Sequence, residues 1–310
     1  MSQNDGAQNV FERSITLPDA DSQARLARLV GMDDKIKRLA NMLGVLINPD
    51  GLRKWQDKHH SDAAGLIDSV IRRPPLVVLA GDVGSGKTEL AETIGDMVAR
   101  KQEIDITLLP LSLSSRGQGR VGEMTQLVSG AFEFAFNEAN RLKSSKGRAR
   151  GGVILLVDEA DALAQSRESE QMHHEDRAGV NAFIRGIDRF ANGGVPAAVL
   201  MCTNRLNALD PAVRRRAADI LVFERPDEAQ RFEVLSRCLE STGFNKANLQ
   251  ELVQATGPQG ERPYGFTYSD ITQRLLPTIV LDAYPDAPVV PSRALELARA
   301  IAPTPPFRDA

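Results

Sequence analysis

Apolar residues recur at helical spacing from Leu26 and Leu29, pause at Gly31, and resume at Ile36, Leu39, Leu43 and Leu46, where Asp33 or Asp34 is placed to cap. Ile67, Val70 and Ile71 predict a further short helix, ended by Arg72-Arg73-Pro74-Pro75. Short unbroken apolar runs then alternate with longer amphipathic stretches. Leu76–Ala80, Ile104–Leu113, Val153–Val157, Ala197–Cys202 and Ile220–Phe223 read as buried strands, and Lys87–Lys101, Val121–Leu142 and Asp176–Phe190 as helices. Strands apolar on both faces suit a parallel sheet, here of five strands, covered by helices on either side. Past Pro226 the strand runs stop, and Asp227–Leu239, Asn248–Ala255, Ser269–Leu281 and Ser292–Ile301 all read as helices. The pattern predicts a polar, aperiodic, flexible tail over residues 1–25, an α/β domain over 26–225 and a small helical domain over 226–310 with a loose Pro-rich end, Ala302–Ala310. Lys143–Gly152 reads as an exposed loop.

Composition narrows the classes. The 310 residues include 38 Lys and Arg against 41 Asp and Glu, a net charge of −3 that excludes a bulk polycation for nucleic acid or anionic membrane. With 42% hydrophobic and 25% charged residues the chain is a folded globular one, and 5% aromatics argues against a stacking platform for single strands. Cys202 and Cys238 match no zinc or CxxC spacing and lie in apolar runs, predicting two buried free thiols and a reducing compartment. Met1–Glu12 shows no apolar signal core and no run approaches a membrane span, so the expected location is cytoplasmic.

Four segments carry chemistry. Gly81-Asp82-Val83-Gly84-Ser85-Gly86-Lys87-Thr88 satisfies GxxxxGK[ST] between a strand and a helix, where backbone N–H groups and the helix N-terminus cradle phosphate. Lys87 is expected on the β- and γ-phosphates and Thr88 on Mg²⁺, with Glu89 next along. The apolar run Val153–Val157 ends in Asp158-Glu159, one acid for the Mg²⁺ side and one to polarise an attacking water, which implies hydrolysis rather than phosphoryl transfer to a substrate. The fourth strand ends in Asn204, suited to holding that water or simply to a turn. Leu209-Asp210-Pro211 leads to Arg214-Arg215-Arg216, three adjacent cations of which at least one is expected to meet an anion.

In this order the segments resemble the AAA+ ATPases: Walker A, Walker B, sensor one and the arginine finger. The resemblance covers residues 28 to 300. It implies an ATP and Mg²⁺ site in which Val30 and Gly31 edge the adenine, Pro226 and Arg231 begin the lid, and the turn Gly265–Asp270 closes over the adenine side. Asp158 would reach the metal through water, and Arg215 or Arg216 of one subunit would complete the site of the next, which requires a ring, expected to be a homo-hexamer. Within the superfamily Arg177–Asp188, Arg216–Ile220 and Leu275-Leu276-Pro277 are similar to the pachytene-checkpoint type, whose members remodel HORMA-domain proteins. Its bacterial relatives are associated with HORMA proteins and nucleotidyltransferases in anti-phage (CBASS) operons, and the short tail here matches a relative lacking the separate N-terminal adaptor domain.

Departures from the family also show. Arg120 stands where the pore loop usually has an aromatic, making Arg120, Val121 and Gly122 the expected grip on a threaded segment. The lid turn has Ser269 where a sensor-two arginine is expected, with Arg274 one turn on. His59-His60 and His173-His174 lack metal-ligand spacing, though His173 falls in the second pore-loop region. The basic Lys143–Arg150 stretch is the sole support for an alternative in which the ATPase acts on nucleic-acid complexes.

Overall fold

The computed structural model describes residues 11, 13–113, 123–144, 148–161, 174–207, 209–260 and 262–307. The elements run β1 (Ile15–Leu17), α1 (Ala20–Ala27), α2 (Asp33–Ile47), α3 (Asp50–His59), α4 (Ala64–Ile71), β2 (Leu76–Gly81), α5 (Lys87–Gln102), β3 (Asp105–Ser112), α6 (Glu123–Leu142), β4 (Gly151–Asp158), α7 (His174–Gly193), β5 (Ala197–Thr203), α8 (Pro211–Arg214) and β6 (Ala217–Phe223). Helices α9 (Glu228–Leu239), α10 (Lys246–Ala255), α11 (Leu276–Ala283) and α12 (Pro291–Ala300) follow. The chain falls into two compact units, one of residues 1–28, 34–80 and 88–222, the other of 29–33, 81–87 and 223–310.

The strands of the first unit are ordered β1-β3-β4-β5-β2-β6. β3, β4, β5 and β2 pair in parallel, with Ser112 level with Asp158, Leu155 with Val199, and Ala80 with Thr203. The carboxyl ends of β4 and β5 therefore share the edge at which β2 ends, the edge where open α/β sheets bind ligands. The five expected strands are present. The sixth, β1, adds an antiparallel edge, Ile15 opposite Leu108 and Leu17 opposite Ile106, within residues expected to be a tail. Its three residues are too few for alternation to declare them. Polar pairing secures the segment: Arg13 meets Glu92 at 2.7 Å, Arg25 meets Glu89 at 2.8 Å and Glu92 at 2.6 Å, and the Asp19 N–H donates to Asp96 at 2.9 Å.

From Val153 through Val157, β4 is at most 1% exposed. At about 2 kcal/mol per buried side chain that is a gross driving force on the order of 10 kcal/mol, enough to fix the strand and whatever follows it. One face of the sheet packs on α6 and α7, where Phe132 meets Phe183 at 5.6 Å and Phe190 at 5.3 Å. Gly186 lets α7 approach that ring, since a Cβ there would lie 2.3 Å from Phe132 Cγ. Helix α3, in a stretch that shows no apolar period, buries none of its residues, and Trp55 sits 4.9 Å from the His60 ring.

The second unit has its own core of Val234, Leu235, Leu249, Leu252, Phe266, Ile271 and Leu275. Capping boxes at Asp227/Gln230 and Asn245/Asn248 start α9 and α10. A wide π-type turn over Asp270–Leu275 precedes α11, where the sequence pattern predicts one helix from Ser269. Pro277 has no N–H to return to the preceding turn, and the backbone widens there. The Pro-rich end is docked rather than loose: Pro303 is buried, and Thr304 donates to Asp270 from its N–H at 3.0 Å and its hydroxyl at 2.7 Å. Cys202 is buried as expected, but Cys238 is exposed because it falls on the solvent side of α9.

Burial alone would raise the pKa of Asp270, but hydrogen bonds from Thr267, Thr304 and Arg274 outweigh it and hold the carboxyl below its ordinary value. A carboxyl with a lowered folded pKa contributes stability above its unfolded value, near pH 4, and loses it as pH falls through the folded value. Asp270→Asn is therefore expected to unfold more readily at pH 7, with the difference from wild type shrinking below about pH 4 in denaturant titrations. Gly186→Ala should lower stability by about 1–3 kcal/mol by forcing the Phe132 contact apart.

Candidate nucleotide site

Residues 81–87 join β2 to α5 and belong to the second unit. Gly81 has φ 148°, and a Cβ there would stand 2.0 Å from the Phe223 carbonyl oxygen, so only glycine permits this backbone approach. Gly84, at φ 69°, is also closely packed: a Cβ there would stand 2.7 Å from Thr267 Oγ1 and 2.9 Å from Ser269 Cβ, and its carbonyl accepts the Ser269 N–H at 3.1 Å. Lys87 is buried, its Nζ donating to the carbonyls of Gly81 at 3.0 Å and Asp82 at 2.7 Å and lying 3.5 Å from Ser85 Oγ. Ser85 Oγ donates to the Asp82 carbonyl at 2.7 Å, closing the loop on itself.

Asp82 and Val83, expected beside phosphate, divide. Val83 is exposed, whereas the Asp82 carboxylate accepts the Val83 N–H at 2.9 Å, the Phe307 N–H at 3.2 Å and Arg225 Nε at 2.6 Å. Arg225 also donates to the carbonyls of Gly265 at 2.7 Å and Thr304 at 2.8 Å and lies over Tyr264 at 5.0 Å. One guanidinium thus ties the loop, the Gly265 turn and the docked C-terminal segment together within this unit. Val30 is packed into the unit's core, and the Gly31 carbonyl accepts Gln230 Nε2 at 3.0 Å.

In the first unit, Thr88 Oγ1 donates to Asp158 Oδ1 at 3.3 Å, and the same oxygen accepts the Glu159 N–H at 2.9 Å. Burial pushes the Asp158 carboxyl above its ordinary value, with the nearby charges of Glu159 and Glu92 adding to the rise against the two hydrogen bonds. A carboxylate so placed favours a nearby cation. Among the described residues no group of three or more His, Cys, Asp or Glu could hold a metal. One carboxylate and one hydroxyl suit Mg²⁺, which takes few protein ligands and completes its shell with water and phosphate. Glu159 has φ 52°, a left-handed backbone that a non-glycine residue rarely adopts, and its carboxylate is exposed while accepting Ser112 Oγ at 3.3 Å. Asn204, one residue past β5, gives its amide to Asp161 Oδ2 at 3.1 Å.

The model of the ATPase family associated with various cellular activities (AAA) matches residues 77–225. CD-NTase-associated protein 6 of Escherichia coli strain MS 115-1 is 62% identical over 300 residues, 97% of this chain and 96% of that one. The chain belongs to the AAA+ ATPases, in the CD-NTase-associated protein 6 group. A chain of the solved E. coli MS115-1 HORMA:CdnC:Trip13 complex superposes with TM-score 0.89 at 61% identity, covering 96% of this chain and 97% of that one. A solved Rhizobiales Trip13 gives 0.75 at 56% identity, covering 96% and 100%. The α/β AAA+ fold read from the sequence is the fold observed, with the antiparallel strand added to its sheet.

In this AAA+ ATPase the arginine run divides by partner. Arg216 forms a two-pronged pair with Asp188 of α7 at 2.7 and 2.9 Å, and Arg214 reaches the Leu206 carbonyl at 3.2 Å. Arg215 is exposed and has no side-chain partner among the described residues. Arg274 is engaged with Asp270 at 2.8 Å, and Ser269 Oγ donates to Gln273 at 2.8 Å. Arg120, Val121, Gly122 and His173 lie outside the described residues. No described helix is long and apolar enough to cross a membrane. The described basic residues of this stretch brace their own chain: Lys143 donates to the Gly193 carbonyl at 2.8 Å, Arg148 to the carbonyls of Gln102 and Glu103, and Arg150 to that of Arg141.

Sequence reasoning passed over Asp161, Asp188 and Arg225. Asp161 follows the paired acids by two residues and Asp188 ends the Arg177–Asp188 segment, but only the fold supplies their partners. Arg225 stands at the expected domain boundary, which gave it no role. Losing the half-exposed Arg216–Asp188 pair in Arg216→Ala is expected to cost about 1 kcal/mol, a fall of about 2–4 °C in melting temperature. Arg215→Ala should melt like wild type.

Proposed function

We propose that the chain is an ATP-driven, ring-forming remodeller that partly unfolds or disassembles a HORMA-domain protein complex, down-regulating a nucleotidyltransferase-based anti-phage system. The meeting of Thr88 Oγ1 and Asp158 Oδ1 at 3.3 Å beside Glu159, directly after a phosphate loop, carries the nucleotide half of this reading. The likeness to a chain of the HORMA:CdnC:Trip13 complex supports the partner half. The working form is a cytoplasmic homo-hexamer, and residues 26–225 and 226–310 act as nucleotide-binding and lid domains.

In this reading the loop N–H groups of residues 82–86 and Lys87 hold the phosphates of ATP, with Glu89 next to them, while Val30, Gly31 and Gly265 border the adenine. Thr88 would hold Mg²⁺ directly and Asp158 through water. When bound, that ion supplies positive charge against the phosphate oxygens. Glu159 accepts a proton from the attacking water and Asn204 helps to hold it. Arg215 of the partner subunit is the better finger, because Arg216 is committed to Asp188. Arg120, Val121 and Gly122 line the pore and grip a threaded segment. The alternative, action on nucleic-acid complexes, loses support because Lys143, Arg148 and Arg150 are occupied within the chain.

Glu159→Gln should retain ATP and lose turnover, and Arg215→Ala should lose on the order of 10³-fold or more in hydrolysis even where rings form. The partner assignment is checked by adding ATP to a purified complex of a HORMA protein with its nucleotidyltransferase. Wild type should dissociate it and Glu159→Gln should not. An unaffected complex, together with salt-sensitive stimulation of hydrolysis by DNA, would favour the alternative.

A further inference from the structure

Asp161 lies just past β4, and its carboxylate collects three hydrogen bonds from the end of β5. Oδ1 accepts Thr203 Oγ1 at 2.7 Å and the Asn204 N–H at 2.7 Å, and Oδ2 accepts Asn204 Nδ2 at 3.1 Å. Thr203 is buried, and its Oγ1 accepts the Arg205 N–H at 3.1 Å, so its own proton is directed to Asp161. The backbone turn from 203 to 205 is thus folded round one carboxylate.

An ionised carboxylate only accepts, so Nδ2 of Asn204 must be the end that faces it. The amide oxygen of Asn204 is consequently the end turned away. We propose that Asp161 is a positioning residue for hydrolysis, fixing Asn204 so that it presents an acceptor, not a donor, to the attacking water. This rests on the reading of Asn204 and Glu159 given above.

The polarity decides whether the water can react. A water that donates one proton to Glu159 and the other to the Asn204 oxygen keeps a lone pair for phosphorus. A water facing an amide N–H would have that pair engaged. In the step itself the water oxygen forms a bond to the γ-phosphorus and the bond from that phosphorus to the bridging oxygen breaks. The electron pair leaves with ADP, inorganic phosphate is formed, and the water proton passes to Glu159.

Asp161→Asn tests the inference with almost no change of shape. Its oxygen can still accept from Thr203 and the Asn204 N–H, but its new NH₂ faces Nδ2, so the Asn204 amide turns over and directs its own NH₂ outward. Turnover is expected to fall on the order of 10- to 100-fold, with ATP affinity and melting temperature close to wild type. Asn204→Asp alone opposes two carboxylates and should also lose turnover. Combining Asn204→Asp with Asp161→Asn restores the donor–acceptor pair and an outward oxygen, and should recover turnover well above either single variant. A purely structural Asp161 would not show that recovery. Turnover of Asp161→Asn within about twofold of wild type while Asn204→Ala is inactive, or a double variant no better than the singles, would overturn the proposal. Wild-type turnover by Asn204→Ala would overturn the reading of the site, and this proposal with it.

Discussion

The placement of Asp158 is the constraint from which the site follows. Five consecutive side chains of β4, Val153 through Val157, are withdrawn from water, and the acid that ends the strand is carried to a partly desolvated position whether or not its charge is comfortable there. The gross apolar drive, on the order of 10 kcal/mol, exceeds the few kcal/mol that such a carboxylate costs. Burial therefore sets the geometry and leaves the carboxyl above its ordinary pKa, a cost that a nearby cation would relieve. The parallel register does the rest, bringing Ser112 level with Asp158 and the end of β5 to the same edge.

Around that edge the protein uses acids in three ways. Asp158 is raised by burial and shared between Thr88 and the Glu159 N–H. Glu159 is exposed on a left-handed backbone, turned off the strand that carries it. Asp161 is spent on hydrogen bonds to the end of β5. In the second unit the same economy recurs, with Asp82 bound to Arg225 and Asp270 holding Thr304. Residues of one chemical type in one short motif thus perform different tasks because their surroundings differ.

Elements with a full period were legible in the sequence. The five strands β2 to β6, the three long helices α5, α6 and α7, the phosphate loop and the paired acids all declare themselves through apolar runs or fixed spacing. What stayed hidden depends on contacts between distant segments. Strand β1 is too short to show alternation, α3 buries nothing that would give it a period, and the Pro-rich end looks loose until Asp270 is seen to hold Thr304. The three arginines were equivalent by sequence and become distinct only because Asp188, 28 residues before Arg216, lies beside one of them. Cys238 was misplaced for a related reason, since an apolar neighbourhood in sequence does not say which side of α9 faces water.

Asp158 and Thr88 are proposed to form the cation end of a nucleotide site. ATP binding measured by calorimetry with Mg²⁺ and with chelator, for wild type and Asp158→Ala, addresses this role directly. Mg²⁺ should strengthen ATP binding to wild type, and Asp158→Ala should remove most of that gain. Equal gains from Mg²⁺ in the two proteins would contradict it.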